Sequence, residues 1–192
     1  MQDSRQVLMS TEGYQAWNRG KQGQGLHWTC DIRDELPIKM QPSGEGSQTP
    51  RTMCEVFAEA VLREGDKPAM HLQRDGKEYH WSWNEFYYDT RRFSKALAKL
   101  NVTARSAVAV MGFNSPEWVM TFMGAICYNT VITGVYITNE PDACLYQANH
   151  ASAEIVVVDS IDRLRRFAVN KEKMPQVKAF VVWGVDSLPA EF

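Results

Sequence analysis

The sequence predicts an α/β fold, a mainly parallel sheet with helices on both faces, and three features predict it. Short, fully apolar runs occur at residues 107–111, 155–158 and 179–183, and a β-branched run at 131–136. Between them lie stretches with helical spacing and recognisable helix starts. Each apolar run is of strand length and lacks in-out alternation, as expected of parallel strands covered on both sides. Right-handed crossovers would connect them.

The elements follow in order. Residues 1–50 read as an irregular N-terminal segment: Gly13, Gly20, Gly23 and Gly25 interrupt the first half, and residues 41–50 have the Pro, Gly and Ser content of an exposed linker. Residues 26–30 and 38–40 fit short edge strands. Regular structure begins at Thr52-Met53-Cys54-Glu55, a capping box, followed by Phe57, Ala60 and Val61 at helical spacing and Gly65 as the stop. Residues 69–72 and 78–81 flank Asp75-Gly76, a strong hairpin signal. A second capping box, Ser82-Trp83-Asn84-Glu85, opens the next helix, with Trp81 and Phe86 placed as a hydrophobic staple. Phe86, Thr90, Phe93, Leu97 and Leu100 trace its apolar face, and Arg91, Arg92, Lys95 and Lys99 its solvated one.

Pro116 stands at the first position of a helix that follows the strand at 107–111. Further helices are expected from Asn139-Glu140-Pro141-Asp142 to about Asn149 and from Ile161 to about Asn170, the latter with Leu164 and Phe167 inward. Residues 118–137 carry no charge and approach the length of a membrane span. Thr121, Asn129, Thr130 and Thr133 interrupt them, so a buried helix followed by a buried strand is the better reading. No transmembrane span is expected.

The 192 residues hold 44% hydrophobic and 23% charged side chains, the balance of a globular chain, and a net charge of −2 argues against a nucleic-acid partner. Cys30, Cys54, Cys127 and Cys144 are widely spaced, which fits unpaired thiols in a reducing, cytoplasmic setting better than a zinc or disulfide framework. No secretory leader is evident at the start, so the sequon Asn101-Val102-Thr103 reads as a helix-to-strand turn.

Residue types that carry chemistry are sparse. Gly112-Phe113-Asn114-Ser115-Pro116 is not a dinucleotide fingerprint, and Gly20-Lys21 lacks the rest of a phosphate loop. Asn114 and Ser115 could meet an anion at a helix N-terminus, although a cap is the simpler role for Ser115. His27, His71, His80 and His150 have no partner four residues away, and no G-x-S-x-G elbow surrounds any serine. No catalytic, cofactor-binding or metal-binding residue is therefore assigned within the chain.

Longer phrases are more specific. Gly112-Phe113-Asn114-Ser115-Pro116-Glu117-Trp118 resembles a phrase of bubblegum-type long-chain fatty acyl-CoA synthetases, as does Gly134-Val135-Tyr136-Ile137-Thr138-Asn139-Glu140-Pro141-Asp142-Ala143-Cys144. The segment from His80 to Tyr88 resembles the early core motif of the wider adenylate-forming superfamily, and the segment from Gly124 to Tyr136 its second. Leu26-His27-Trp28-Thr29-Cys30 is similar to the family's entry segment. The resemblance runs in order from about Leu26 to the end. Asn129-Thr130 departs from it, standing where relatives often carry small glycines.

The resemblance implies a partial AMP-binding domain over residues 51–192, from the N-terminal portion of such an enzyme. For the full-length enzyme it implies a fatty acid substrate, ATP, Mg2+ and coenzyme A, with an acyl-adenylate between the two half-reactions. It also implies that the phosphate-binding loop, ribose-binding Asp and catalytic Lys lie outside this sequence. The chain alone is then expected to be inactive and to bind these cofactors poorly. A cytoplasmic protein, peripheral on the endoplasmic reticulum membrane at most, fits this family. Two other readings stay open: a truncated, non-catalytic interaction module, and another acid–CoA ligase of the superfamily, luciferase-like or specific for aromatic acids.

Overall fold

The computed structural model describes residues 38 and 40–192. The strand expected at 26–30, and Lys39 within the one expected at 38–40, lie outside the described residues. The chain divides into two units at Pro50. In the first, residues 41–50 are exposed and include a 3-10 turn at Glu45–Ser47.

The second unit opens with helix α1, Met53–Glu64. The Thr52 hydroxyl accepts the Glu55 N–H at 3.1 Å, and the Glu55 carboxylate accepts the Thr52 N–H at 2.7 Å. Strands β1, Pro68–Arg74, and β2, Lys77–Ser82, pair antiparallel. Asp75 (φ 51°) and Gly76 (φ 73°) both take positive φ, the turn that matches strand twist in a two-residue loop. Helix α2, Trp83–Lys99, starts at the second capping box and buries Phe86, Thr90 and Leu97. Phe57, Val61 and Phe86 gather with Met120 and Met123 into one apolar cluster, and Trp81 packs against it.

Leu100, expected on the buried face of α2, is exposed instead. The chain leaves the helix there. Asn101 takes φ 50° and donates its N–H to Ala98 O at 3.0 Å, and Val102 donates to Leu97 O at 3.1 Å. This is a Schellman stop, and it buries Val102 beside Leu97 in place of Leu100.

The parallel sheet has the order β4-β3-β5-β6, with β3 Ala107–Met111, β4 Val131–Gly134, β5 Ala153–Val158 and β6 Ala179–Val182. All three pairings are parallel. Strand β4, expected to reach residue 136, ends at Gly134, because Val135 to Asn139 turn toward the next helix. One sheet face, with Val108, Val110, Ile155 and Val157, packs on Leu97 of α2 and on Ala125 and Trp118 of α3, Pro116–Cys127. The other, with Ala109, Met111, Val156 and Val158, packs on Cys144 and Ala148 of α4, Pro141–His150, and on Leu164 and Phe167 of α5, Ile161–Ala168. Glu154 is an extra residue in β5, where the register slips between Ala107↔Ala153 and Val108↔Ile155. Its carboxylate accepts the Thr103 N–H at 2.8 Å and pairs with Lys178 at 2.7 Å.

Residues 118–137 are thus a helix that stops at Cys127 and a strand that starts at Val131. No described helix is long and apolar enough to cross a membrane.

Candidate functional site

In a sheet wound on both faces, ligands usually sit beyond the strand carboxyl ends, where neighbouring strands send their connections to opposite faces. That point lies between β3 and β5: β3 leads into α3 on one face, and β5 into α5 on the other. The loops there are Gly112–Ser115, Asp159–Ser160 and Trp183–Gly184.

The crest they form is packed. A Cβ on Gly112 would lie 2.7 Å from two ring carbons of Trp183 and 2.9 Å from Asp159 Cβ, so only glycine lets these loops close on one another. The Asp159 carboxylate accepts the Phe113 N–H at 2.8 Å and is held by the Arg163 guanidinium. Arg163 also donates to Ser160 Oγ at 3.2 Å and lies 5.0 Å over the Phe113 ring. Ser115 Oγ accepts the Trp118 N–H at 3.2 Å, which is the cap role. The anion-binding role considered for Asn114 and Ser115 gains no cation here, since Arg163 is committed to Asp159.

A bidentate ion pair ties the hairpin to this end of the sheet. Arg74 reaches Glu117 on the first turn of α3 at 2.8 and 3.0 Å. Burial pushes the Glu117 carboxyl up, but the Arg74 guanidinium and nearby hydrogen bonds outweigh it and hold the group below its ordinary range. Arg166 on α5 donates to the carbonyls of Ile137 and Asn139 at 3.0 Å each and so fixes the loop into α4.

Neither Cys127 nor Cys144 is primed for attack. Cys54 and Cys127 meet at 3.6 Å between α1 and α3. Burial, then the Cys54 thiol, push Cys127 up to about 11. Burial also raises Cys144. A thiol in that range is almost wholly protonated near neutral pH.

An open depression of about 510 Å³ borders the start of α2, lined by His80, Trp81, Asn84, Glu85, Tyr88 and Asp89. Glu85 is occupied by its capping box and Asp89 pairs with Arg92 at 3.4 Å. Neither the depression nor the crest offers the convergent cations and backbone N–H donors that a triphosphate with its metal ion requires.

The arrangement can nevertheless be placed. The AMP-binding enzyme family profile matches residues 57–191. The chain belongs to this family. It is 35% identical over 158 residues to the long-chain-fatty-acid–CoA ligase ACSBG2 of Gallus gallus, covering 82% of this chain and 21% of that protein. It is 34% identical over 156 residues to the long-chain-fatty-acid–CoA ligase ACSBG1 of Bos taurus, covering 81% and 21%. The chain thus spans about a fifth of the length of the curated relatives it matches. Among solved structures, a putative long-chain-fatty-acid CoA ligase from Rhodopseudomonas palustris superposes with a TM-score of 0.64 at 17% identity, over 72% of this chain and 34% of that one. A benzoate CoA ligase from Burkholderia xenovorans does so with a TM-score of 0.58 at 17% identity, over 67% and 25%. These likenesses show the fold of an adenylate-forming domain, and they do not separate one acid class from another.

The sequence singled out neither Asp159 nor Arg163, and no spacing rule would find them, because the pair is assembled from a strand end and the helix after it. His71 and His80, judged to lack partners, are brought together by the hairpin: their rings stack with centroids 4.6 Å apart.

Proposed function

We propose that the protein to which these residues belong ligates long-chain fatty acids to coenzyme A, with ATP and Mg2+ as co-substrate and cofactor. The observation that carries this reading is the 35% identity to a long-chain-fatty-acid–CoA ligase across 82% of the chain. In this reading, residues 51–192 form the first part of the AMP-binding domain, and the Gly112–Ser115 and Asp159–Arg163 crest braces the sheet under a substrate cleft built largely by other residues. The protein is cytoplasmic, with at most a peripheral hold on the endoplasmic reticulum membrane.

Two assays test this. The whole protein to which these residues belong should form acyl-CoA fastest with palmitate or longer acids; equal or better activity on acetate or benzoate would move it to another branch of the superfamily. The 192-residue chain alone should show no ATP–pyrophosphate exchange. Exchange that depends on palmitate and Mg2+ would reveal a nucleotide site among these residues.

A further inference from the structure

We infer that the exposed face of the β1–β2 hairpin carries a site for a divalent transition-metal ion, formed by His71, Glu78 and His80. The hairpin register sets His71 directly opposite His80. Glu78 is two residues before His80 on the same strand, and so on the same face. The two imidazoles lie nearly parallel, 8° apart with centroids at 4.6 Å, and the Glu78 carboxylate is 3.6 Å from His80 Nε2. One ligand atom from each residue lies within 4.8 Å of the other two, and among the described residues no other three His, Cys, Asp or Glu side chains do so.

The donor set specifies the ion class. Two imidazoles and one carboxylate suit Zn2+, Ni2+ or Cu2+, whereas Mg2+ and Ca2+ prefer oxygen throughout. Donors around a tetrahedral zinc stand about 3.4 Å apart, as bond lengths near 2.1 Å require. All three side chains are exposed, so small rotations bring them to that spacing without disturbing the core. With three protein ligands, the remaining coordination position faces solvent, as in sites that hold a water or an exogenous ligand. The ion would also clamp one strand of the hairpin to the other.

Isothermal titration of the full 192-residue chain with ZnCl2 tests the assignment. One ion should bind per chain. His71→Ala and His80→Ala should each weaken binding at least about tenfold, since even removing a partner of a metal ligand does so. His150→Ala should change nothing, because His150 stacks on Tyr146 in α4. Zinc should raise the thermal midpoint of the unaltered protein but of neither His71→Ala nor His80→Ala. In case a variant folds poorly, imidazole NMR of the unaltered protein serves as a second readout: Zn2+ should shift two rings together and leave the His150 ring in place. Absence of zinc binding, binding indifferent to both histidine variants, or half an ion per chain with dimerisation would each overturn the assignment.

Discussion

The parallel sheet and the hairpin unit are built on opposite principles, and α3 serves both. In the sheet, β3 is buried at every position and β5 at all but Glu154, so composition specifies these two central strands. In the hairpin, β2 is exposed over its first four residues, and turn chemistry and register specify the pairing. Helix α3 gives Ala125 and Trp118 to the sheet's core, and Met120 and Met123 to the cluster beneath the hairpin. The difference teaches that the buried centre of the sheet resists change through packing, whereas a half-exposed hairpin leaves side chains at liberty to gather for other purposes.

The widest gap between the two regions should appear on truncating their aromatics. Phe167 is wholly buried against the sheet, whereas Phe57 sits in the smaller cluster at 6% exposure. Phe167→Ala should cost about 3–5 kcal/mol by urea unfolding, as fully enclosed aromatics do. Phe57→Ala should cost less, because its neighbours near the surface can relax into the space. Equal losses would mean that the two cores are equally tight and would break the comparison.

Next comes the seam. Gly124 on α3 faces α2 so closely that a Cβ would lie 2.9 Å from Thr90 O and 2.8 Å from Phe93 Cδ1. In an ordinary helix, alanine for glycine gains about 1 kcal/mol. Here overpacking of about 1–3 kcal/mol opposes that gain, and since one neighbour is backbone, the helices must part. Gly124→Ala should therefore destabilise, by about 1 kcal/mol net. Hydrogen exchange should rise in both regions together if α3 is their shared support. A stabilised variant would show that the helices yield easily.

Much of the fold was legible because it rests on local signals. The capping boxes at Thr52 and Ser82, the Asp75-Gly76 turn and the apolar runs each act within a few residues. The turn at Asn101 was legible as well, but the burial of Leu100 was not: helical periodicity sets it on the apolar face, whereas the stop exposes it and buries Val102 in its place. The sites were far less legible. His71 and His80 stand nine positions apart and meet only through strand register, while Asp159, Phe113 and Trp183 meet only once three loops share one crest.

A smaller effect is expected at the ion pair joining hairpin to α3. The folded Glu117 carboxyl sits below its unfolded value, so it contributes stability that is full above about pH 4.3 and is lost as pH falls through the lower folded value. The pair is partly exposed, and a bidentate Arg–carboxylate contact of this kind is worth about 1 kcal/mol. Glu117→Gln should lower stability by that amount at pH 7 and flatten the acid limb of a stability–pH curve measured by denaturant. An unchanged limb would place the acid sensitivity elsewhere, with Glu154 the next carboxylate to test: burial pushes it up, but Lys178 and Thr103 hold it low.

The smallest effect is expected of Asn129→Gly, at the departure formed by Asn129-Thr130. Helix α3 ends as α2 does. Asn129 takes φ 64° and donates to Ile126 O at 2.9 Å, and Thr130 donates to Ala125 O at 3.0 Å. The left-handed position is the one glycine fills most readily, which gives a physical reason for small glycines at this turn. Asparagine is among the better substitutes there, so the strain it bears is modest. Asn129→Gly removes that strain but frees the unfolded chain, an opposing term of about 0.4–1 kcal/mol. The net change should be a gain of a few tenths of a kcal/mol at most, seen as a small rise in the denaturation midpoint with no change in its slope. Asn129→Val should lose about 1–2 kcal/mol, because a β-branched side chain is poorly suited to the left-handed region. Parity between valine and asparagine would show that the stop after α3 does not depend on this residue, and that the sheet alone holds β4 in register.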